Sequence, residues 1–289
     1  MSKKLTFDLR MLSRRNKDGS MATQANRSRI LEQMGNQLHE MGYRHLRASS
    51  LKEKHVKSLV DRWNADGLSA GTMKNRMATL RWWAEKINKR NVIARDNAVY
   101  GIAERQYVAQ ETKAVQLEPD KLAQIRDTHL RLSLALQREF GLRREECMKF
   151  NPSYADQGSS IRLKASWTKG GRAREVPVRT DAQREVLNQA HKLAGKGSLI
   201  PPDRQYVQQL RLYEKHTAAA GMSKLHGLRH EYAQRRYREL TGWLAPVAGG
   251  PASRDLTPEQ KATDQEVRLI ISAELGHARE QITTVYLGR

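Results

Sequence analysis

The chain has 289 residues, enough for two ordinary domains. Its 52 Lys and Arg against 31 Asp and Glu give a formal charge of +21, which favours a polyanionic partner: nucleic acid first, an anionic membrane surface second. No apolar run reaches membrane-spanning length, the opening MSKKLTFDLRM lacks a signal-peptide core, and the single cysteine, Cys147, excludes an internal disulfide. A cytoplasmic protein without a membrane partner is therefore expected, with Cys147 as a small apolar core residue.

In residues 22–42 the positions Ile30, Leu31, Met34, Leu38 and Met41 follow helical spacing, and Gly42 offers a stop. Val56, Leu59, Val60 and Trp63 make a second one-sided helix, ended by Asp66-Gly67. Ser69 is then placed to cap a third helix carrying Met73, Met77, Leu80, Ala84 and Ile87 on one side. Lys74 and Arg81 fall on its other face, where they would meet phosphates or stay solvated. The first 115 residues hold 23 Lys or Arg and 11 Asp or Glu, so this part is the more basic per residue.

Stretch 103–118 has no sustained apolar pattern and ends in Glu118-Pro119, which suits an interdomain linker. Two basic modules on a flexible connection suggest a clamp around a duplex. The second part is expected to open with one buried helix from Pro119 through Phe140, although the alternation Leu130, Leu132, Leu134, Leu136 also suits a strand. Residues 161–165 and 175–178, flanking Gly170-Gly171, read as two short strands around a tight turn. The glycines and prolines gathered in 241–258 mark a loop insertion, and the rest reads as helix.

Chemistry-bearing residues gather in four segments of this second part. In GLRREE, 141–146, Arg143 emerges at a helix boundary, free to grip a phosphate with two prongs or to pair with Glu145 or Glu146. In TKGGRAREVPV, 168–178, Lys169 sits at the lip of the hairpin with Arg172 and Arg174 beyond it; this is either a charged edge protected from aggregation or a long ammonium arm reaching a groove. In LHGLRHEY, 225–232, His226, Arg229 and His230 share one helical face. Gly227 stands where a metalloprotease motif would carry its glutamate, and no third ligand cluster accompanies the histidines, so no metal site is expected. In ELGHAREQITTVYLGR, 274–289, His277 precedes Tyr286 by nine residues; taken alone, this is as well read as an amphipathic helix closing the core.

Together and in this order, these motifs resemble the tyrosine recombinases, the family of lambda-type integrases and Xer-type resolvases. The resemblance is specific over roughly residues 118–289, whereas the first part is similar only in pattern to that family's core-binding domain. It implies a mostly α protein: a helical, SAM-like core-binding domain over 1–110, and a mainly helical catalytic domain with a small antiparallel sheet over 111–289.

The resemblance also implies catalytic roles for Arg143, Lys169, His226, Arg229, His277 and Tyr286, with His230 and Glu146 in support. Lys74, Arg81, Arg172 and Arg174 would serve DNA binding. Tyr286 would attack a phosphodiester to form a 3′-phosphotyrosyl link, the arginines would clamp the non-bridging oxygens, the histidines would hydrogen-bond or accept the tyrosine proton, and Lys169 would protonate the leaving 5′ oxygen. No cofactor is implied. The expected partner is double-stranded DNA held by a homotetramer, with an accessory directionality factor, in the bacterial nucleoid.

The expected function is integration or excision of a prophage or integrative conjugative element. Alternatives are Xer-like resolution, type IB topoisomerase-like relaxation, or a non-catalytic DNA-binding regulator. Relatives usually carry a longer tail after the tyrosine, which docks on a neighbouring protomer. Here 241–258 is an added segment that could supply such a contact, in which case its deletion would abolish synapsis and spare single-strand cleavage.

Overall fold

The computed structural model describes residues 4–168, 170–277 and 279–289. The chain divides into two compact units, Met1–Gln106 and Tyr107–Arg289.

The first unit is four helices, α1 (Lys4–Arg15), α2 (Met21–Glu40), α3 (Glu53–Ala65) and α4 (Ala70–Lys86). Their apolar stripes meet in one core containing Leu9, Leu31, Met34, Leu38, Val56, Leu59, Met77 and Leu80. Two tryptophans are buried there, and each indole N–H finds an acceptor, as burial demands: Trp63 donates to Gln37 and Trp83 to the Ala48 carbonyl, both at 3.0 Å. Ser69 caps α4 by accepting from the Thr72 amide. α1 escaped the periodicity reading; Leu5 and Leu9 bury its inner face against α2.

The second unit is also mainly helical. α5 (Pro119–Ala123) and α6 (Thr128–Phe140) replace the single long helix expected there. The break comes at Asp127, whose side chain accepts from the Leu130 amide and starts a new helix. α6 ends at Gly141, and α7 (Arg144–Met148) and α8 (Pro152–Ala155) follow.

β1 (Ser160–Leu163) and β2 (Arg174–Pro177) pair antiparallel, Ser160 facing Pro177 and Leu163 facing Arg174. Their connection is not the expected tight turn but the longer stretch 164–173, which includes a 3-10 turn at Ala165–Trp167. α9 (Asp181–Ala194), α10 (Tyr206–Ala219), α11 (Gly227–Thr241), α12 (Pro258–Glu274) and the single-turn α13 (Thr284–Leu287) complete the unit.

α6, α12 and α13 each pack on α11, so residues far apart in sequence meet at one place. Cys147 lies fully buried in that core, where desolvation pushes its thiol up. Between Thr241, which ends α11, and Pro258, which opens α12, the segment has no α-helix or strand; it carries two 3-10 turns, Pro246–Ala248 and Ser253–Asp255. Among the described residues no helix is long and apolar enough to cross a membrane.

Candidate active site

Arg143 and Arg229 arrive from different helices and converge on one oxygen. Arg143 is the residue preceding α7; its Nη1 donates to Glu146 at 2.8 Å and its Nη2 to the Leu275 carbonyl at 3.4 Å. Arg229, in the first turn of α11 and 1% exposed, donates from Nη2 to the same carbonyl and from Nη1 to the Gly141 carbonyl at 2.5 Å. Gly227 is required in this turn because Val115 lies over it: a Cβ would stand 2.4 Å from the Val115 side chain and 2.5 Å from the Lys113 carbonyl. That close packing accounts for the glycine between the two histidines. Among the described residues no three His, Cys, Asp or Glu side chains cluster as a metal site would need.

Tyr286 completes the group from α13. Arg229 Nε lies 3.3 Å from its Oη, and His277 Nε2 lies 3.5 Å from that oxygen. Arg229 Nη2 is also 3.5 Å from His277 Nε2. A guanidinium can only donate, so this contact calls for an unprotonated Nε2, whose single lone pair faces both the guanidinium and the phenol O–H. The rings of His230 and His226 stand 4.7 and 6.4 Å from the Tyr286 ring; His230 is buried and His226 exposed.

Electrostatics follow from burial. Enclosure lowers Arg229 to about 10, with the neighbouring Arg143 and Arg174 adding to the drop and the Tyr286 phenol opposing it. At neutral pH it stays cationic. Burial, then the charges of Arg229, Arg143 and Arg174, brings His277 down to about 4. Burial, then His226, Lys113 and Arg229, does the same to His230. Both imidazoles are neutral at pH 7.

Glu146 is wholly buried, and burial alone would raise it; hydrogen bonds and charge from Arg174, then from Arg143, outweigh that and hold it at about 2. It accepts from the Arg143 amide at 2.7 Å and from Arg174 at 2.7 and 2.9 Å.

Arg174, expected to face DNA, is instead turned inward: its side chain is 6% exposed and also donates to the Glu274 carbonyl at 2.9 Å. Period-two alternation could not foresee this, since the partner carboxylate lies 28 residues earlier. Arg172 remains exposed at the foot of the hairpin. Lys169, expected in the site, falls outside the described residues.

In the first unit Lys74 is half-buried. Arg81, expected free for phosphate, instead donates to the Ala94 carbonyl at 2.9 Å and to Asn97 at 2.8 Å, tying down the segment after α4.

This geometry coincides with two family matches: the family described as phage integrase, N-terminal, over residues 1–92, and the one described as integrase over residues 103–235. The chain belongs to the tyrosine recombinases. No curated protein matches it by sequence. The recombinase fold is shared with a lambda integrase dimer bound to a COC′ core site, at 16% identity and a TM-score of 0.63, over 98% of this chain and 76% of that one. XerH bound to a difH substrate gives 15% identity and 0.56, over 97% and 80%. The Tn1549 transposon integrase in complex with circular intermediate DNA gives 14% and 0.53, over 98% and 95%.

One further feature of this recombinase had a signal in sequence that was not used. Asp264 and Arg268, four apart on α12, form a buried pair at 2.8 Å, and that spacing is the one at which helical side chains meet.

Proposed function

We propose that this recombinase cuts and rejoins double-stranded DNA at a specific site through Tyr286, and that its task is the integration or excision of a mobile element. The observation that carries the reading is the approach of one buried, uncompensated guanidinium and one neutral imidazole to the same phenol oxygen, at 3.3 and 3.5 Å.

His277 Nε2 takes the phenol proton as Tyr286 Oη bonds to phosphorus. Arg229 and Arg143 supply fixed positive charge for the non-bridging oxygens of the five-coordinate state. His226, exposed beside the tyrosine ring, adds a hydrogen bond. Lys169 protonates the departing 5′ oxygen, and a 5′ hydroxyl of another strand later reverses the step by attacking the 3′-phosphotyrosyl bond, whose retained energy drives rejoining.

Glu146 and Arg174 keep Arg143 in place. Lys74 and Arg172 contribute phosphate contacts outside the site. The recombinase works as a tetramer on DNA in the bacterial cytoplasm, at the nucleoid, and an accessory factor sets its direction.

The mobile-element reading is supported by the phage-integrase description of the family matching residues 1–92 and by the likeness to a transposon integrase. A nicked duplex carrying the element's junction tests the chemistry. After denaturing electrophoresis a covalent protein–DNA adduct is expected with the native chain and none with Tyr286→Phe, while both bind the duplex alike. Equal adduct from Tyr286→Phe would remove the tyrosine from its role.

A further inference from the structure

Arg268 belongs to none of the four catalytic segments, yet it is among the largest fully buried side chains, at 1% exposed. Its Nε donates to both oxygens of Asp264, at 2.8 and 2.9 Å. Its Nη1 reaches across to the Gly288 carbonyl at 3.0 Å, two residues beyond Tyr286. The Asp264 carboxylate also accepts from Tyr237 Oη at 2.5 Å, and that phenol accepts from Trp243 Nε1 at 3.2 Å. A continuous chain of hydrogen bonds thus runs from the start of the 241–258 segment to the backbone behind Tyr286.

The same segment meets the tyrosine helix from a second side. Its 3-10 turn Pro246–Ala248 packs on α13. Gly288 has φ +71, and a Cβ there would stand 2.9 Å from the Val247 nitrogen and 3.1 Å from its Cβ, so only glycine fits beneath that turn without displacing it. The loop is closed on itself by the Gly250 amide donating to the Ala245 carbonyl at 3.0 Å, with Ala245 buried and Ala248 packed on the core. α13 is a single turn of four residues, too short to hold its conformation unaided.

We propose that Arg268 and the 241–258 segment form an intramolecular latch that positions Tyr286 in the site of its own chain. Arg268 is a positioning residue: it acts through the Gly288 carbonyl to fix how far the phenol reaches toward Arg229. The inference rests on Tyr286 being the nucleophile and deepens that reading. It also reverses the expectation that the segment bridges protomers, because Val247 and Ala248 are already engaged by their own chain. Loss of the segment should therefore impair cleavage itself, and not synapsis alone.

Two substitutions probe the latch in the full-length protein. Arg268→Lys keeps a cation beside Asp264 but gives up the fork that reaches Gly288. Gly288→Ala presses a methyl on Val247 and leaves the buried pair intact. Hydrogen exchange without DNA should quicken about tenfold at amides 284–288, the worth of roughly one hydrogen bond, with α6 and α11 unchanged. On saturating nicked duplex, single-turnover adduct formation should slow by about the same factor, while the DNA concentration for half-saturation holds.

Unchanged exchange at 284–288, exchange rising equally in α6 and α11, or native adduct rates in both variants would each overturn the latch. Should Tyr286→Phe still form adduct, the nucleophile assignment fails; the exchange measurement then judges the latch by itself.

Discussion

Arg229 and Arg268 are both enclosed in the second unit, each 1% exposed, and they are held in opposite ways. Arg268 lies against the Asp264 carboxylate, so its charge is neutralised where it sits. Arg229 touches only neutral acceptors: two backbone carbonyls, a phenol and an imidazole. Among the described residues no carboxylate pairs with it directly; the nearest acid in the network, Glu146, is occupied by Arg143 and Arg174. A buried cation without a counter-ion costs stability, and a fold retains that cost where an anion is to arrive. The paired arginine builds structure, and the unpaired one is, on the proposed function, the one that receives the phosphate charge.

The sharpest attempt to break this contrast exchanges each for glutamine. Arg229→Gln should slow adduct formation about 10³-fold, the scale of losing a preorganised transition-state donor, while the denaturant midpoint moves little. Arg268→Gln should destabilise by about 3–5 kcal/mol, because Asp264 is left buried and unpaired. Equal stability losses in the two variants would erase the distinction.

A smaller effect is expected from Glu146→Gln, which releases the grip on Arg143 without touching the reacting atoms. Adduct formation should fall about 10²-fold, as for a misplaced catalytic group, with duplex affinity unchanged; a proportional loss of affinity would instead make Glu146 part of the binding surface.

Acid gives a weaker test. His230 and His277 are depressed to about 4 against an ordinary 6.5, so the unfolded chain takes up protons first as pH falls. Their contribution to stability is complete above about pH 6.5 and is lost between 6.5 and 4, roughly 3 kcal/mol for the pair after allowing for solvent at His277. Below 4.5 Glu146, held at about 2, adds a loss of the same sign. Denaturant midpoints at pH 7, 5.5 and 4.5 should fall in that order, and His277→Asn should flatten the first interval.

The smallest effect belongs to Arg81, which also bonds neutral acceptors but stands half-exposed. Arg81→Gln should cost about 1 kcal/mol in thermal or chemical unfolding of the first unit and leave the cleavage rate at saturating DNA intact.

Much of this was legible in the sequence where the signal is local. The stripes of α2, α3 and α4 follow from apolar spacing, and the Ser69 cap from its place before the third stripe. The His226, Arg229, His230 face follows from helical geometry alone. What escaped was set by distance. α1 was overlooked because its few leucines sit among charges and acquire meaning only against α2. The break before α6 was present in Asp127, a residue suited to capping, yet the leucine alternation masked it. Arg174 and Arg268 find acceptors 28 and 20 residues away, to Glu146 and to the Gly288 carbonyl, and no periodicity carries such information.

The carbonyl of Leu275 has a consequence of its own. One peptide oxygen at the end of α12 receives hydrogen bonds from both Arg143 and Arg229, so the gap between the two cations is referred to a single atom. Each guanidinium also has an anchor of its own, Glu146 for Arg143 and the Gly141 carbonyl for Arg229, so the shared oxygen ties together two groups that are otherwise held separately. On the proposed function these two charges flank one phosphate, and the acceptor they share is main chain, indifferent to the side chain at that position.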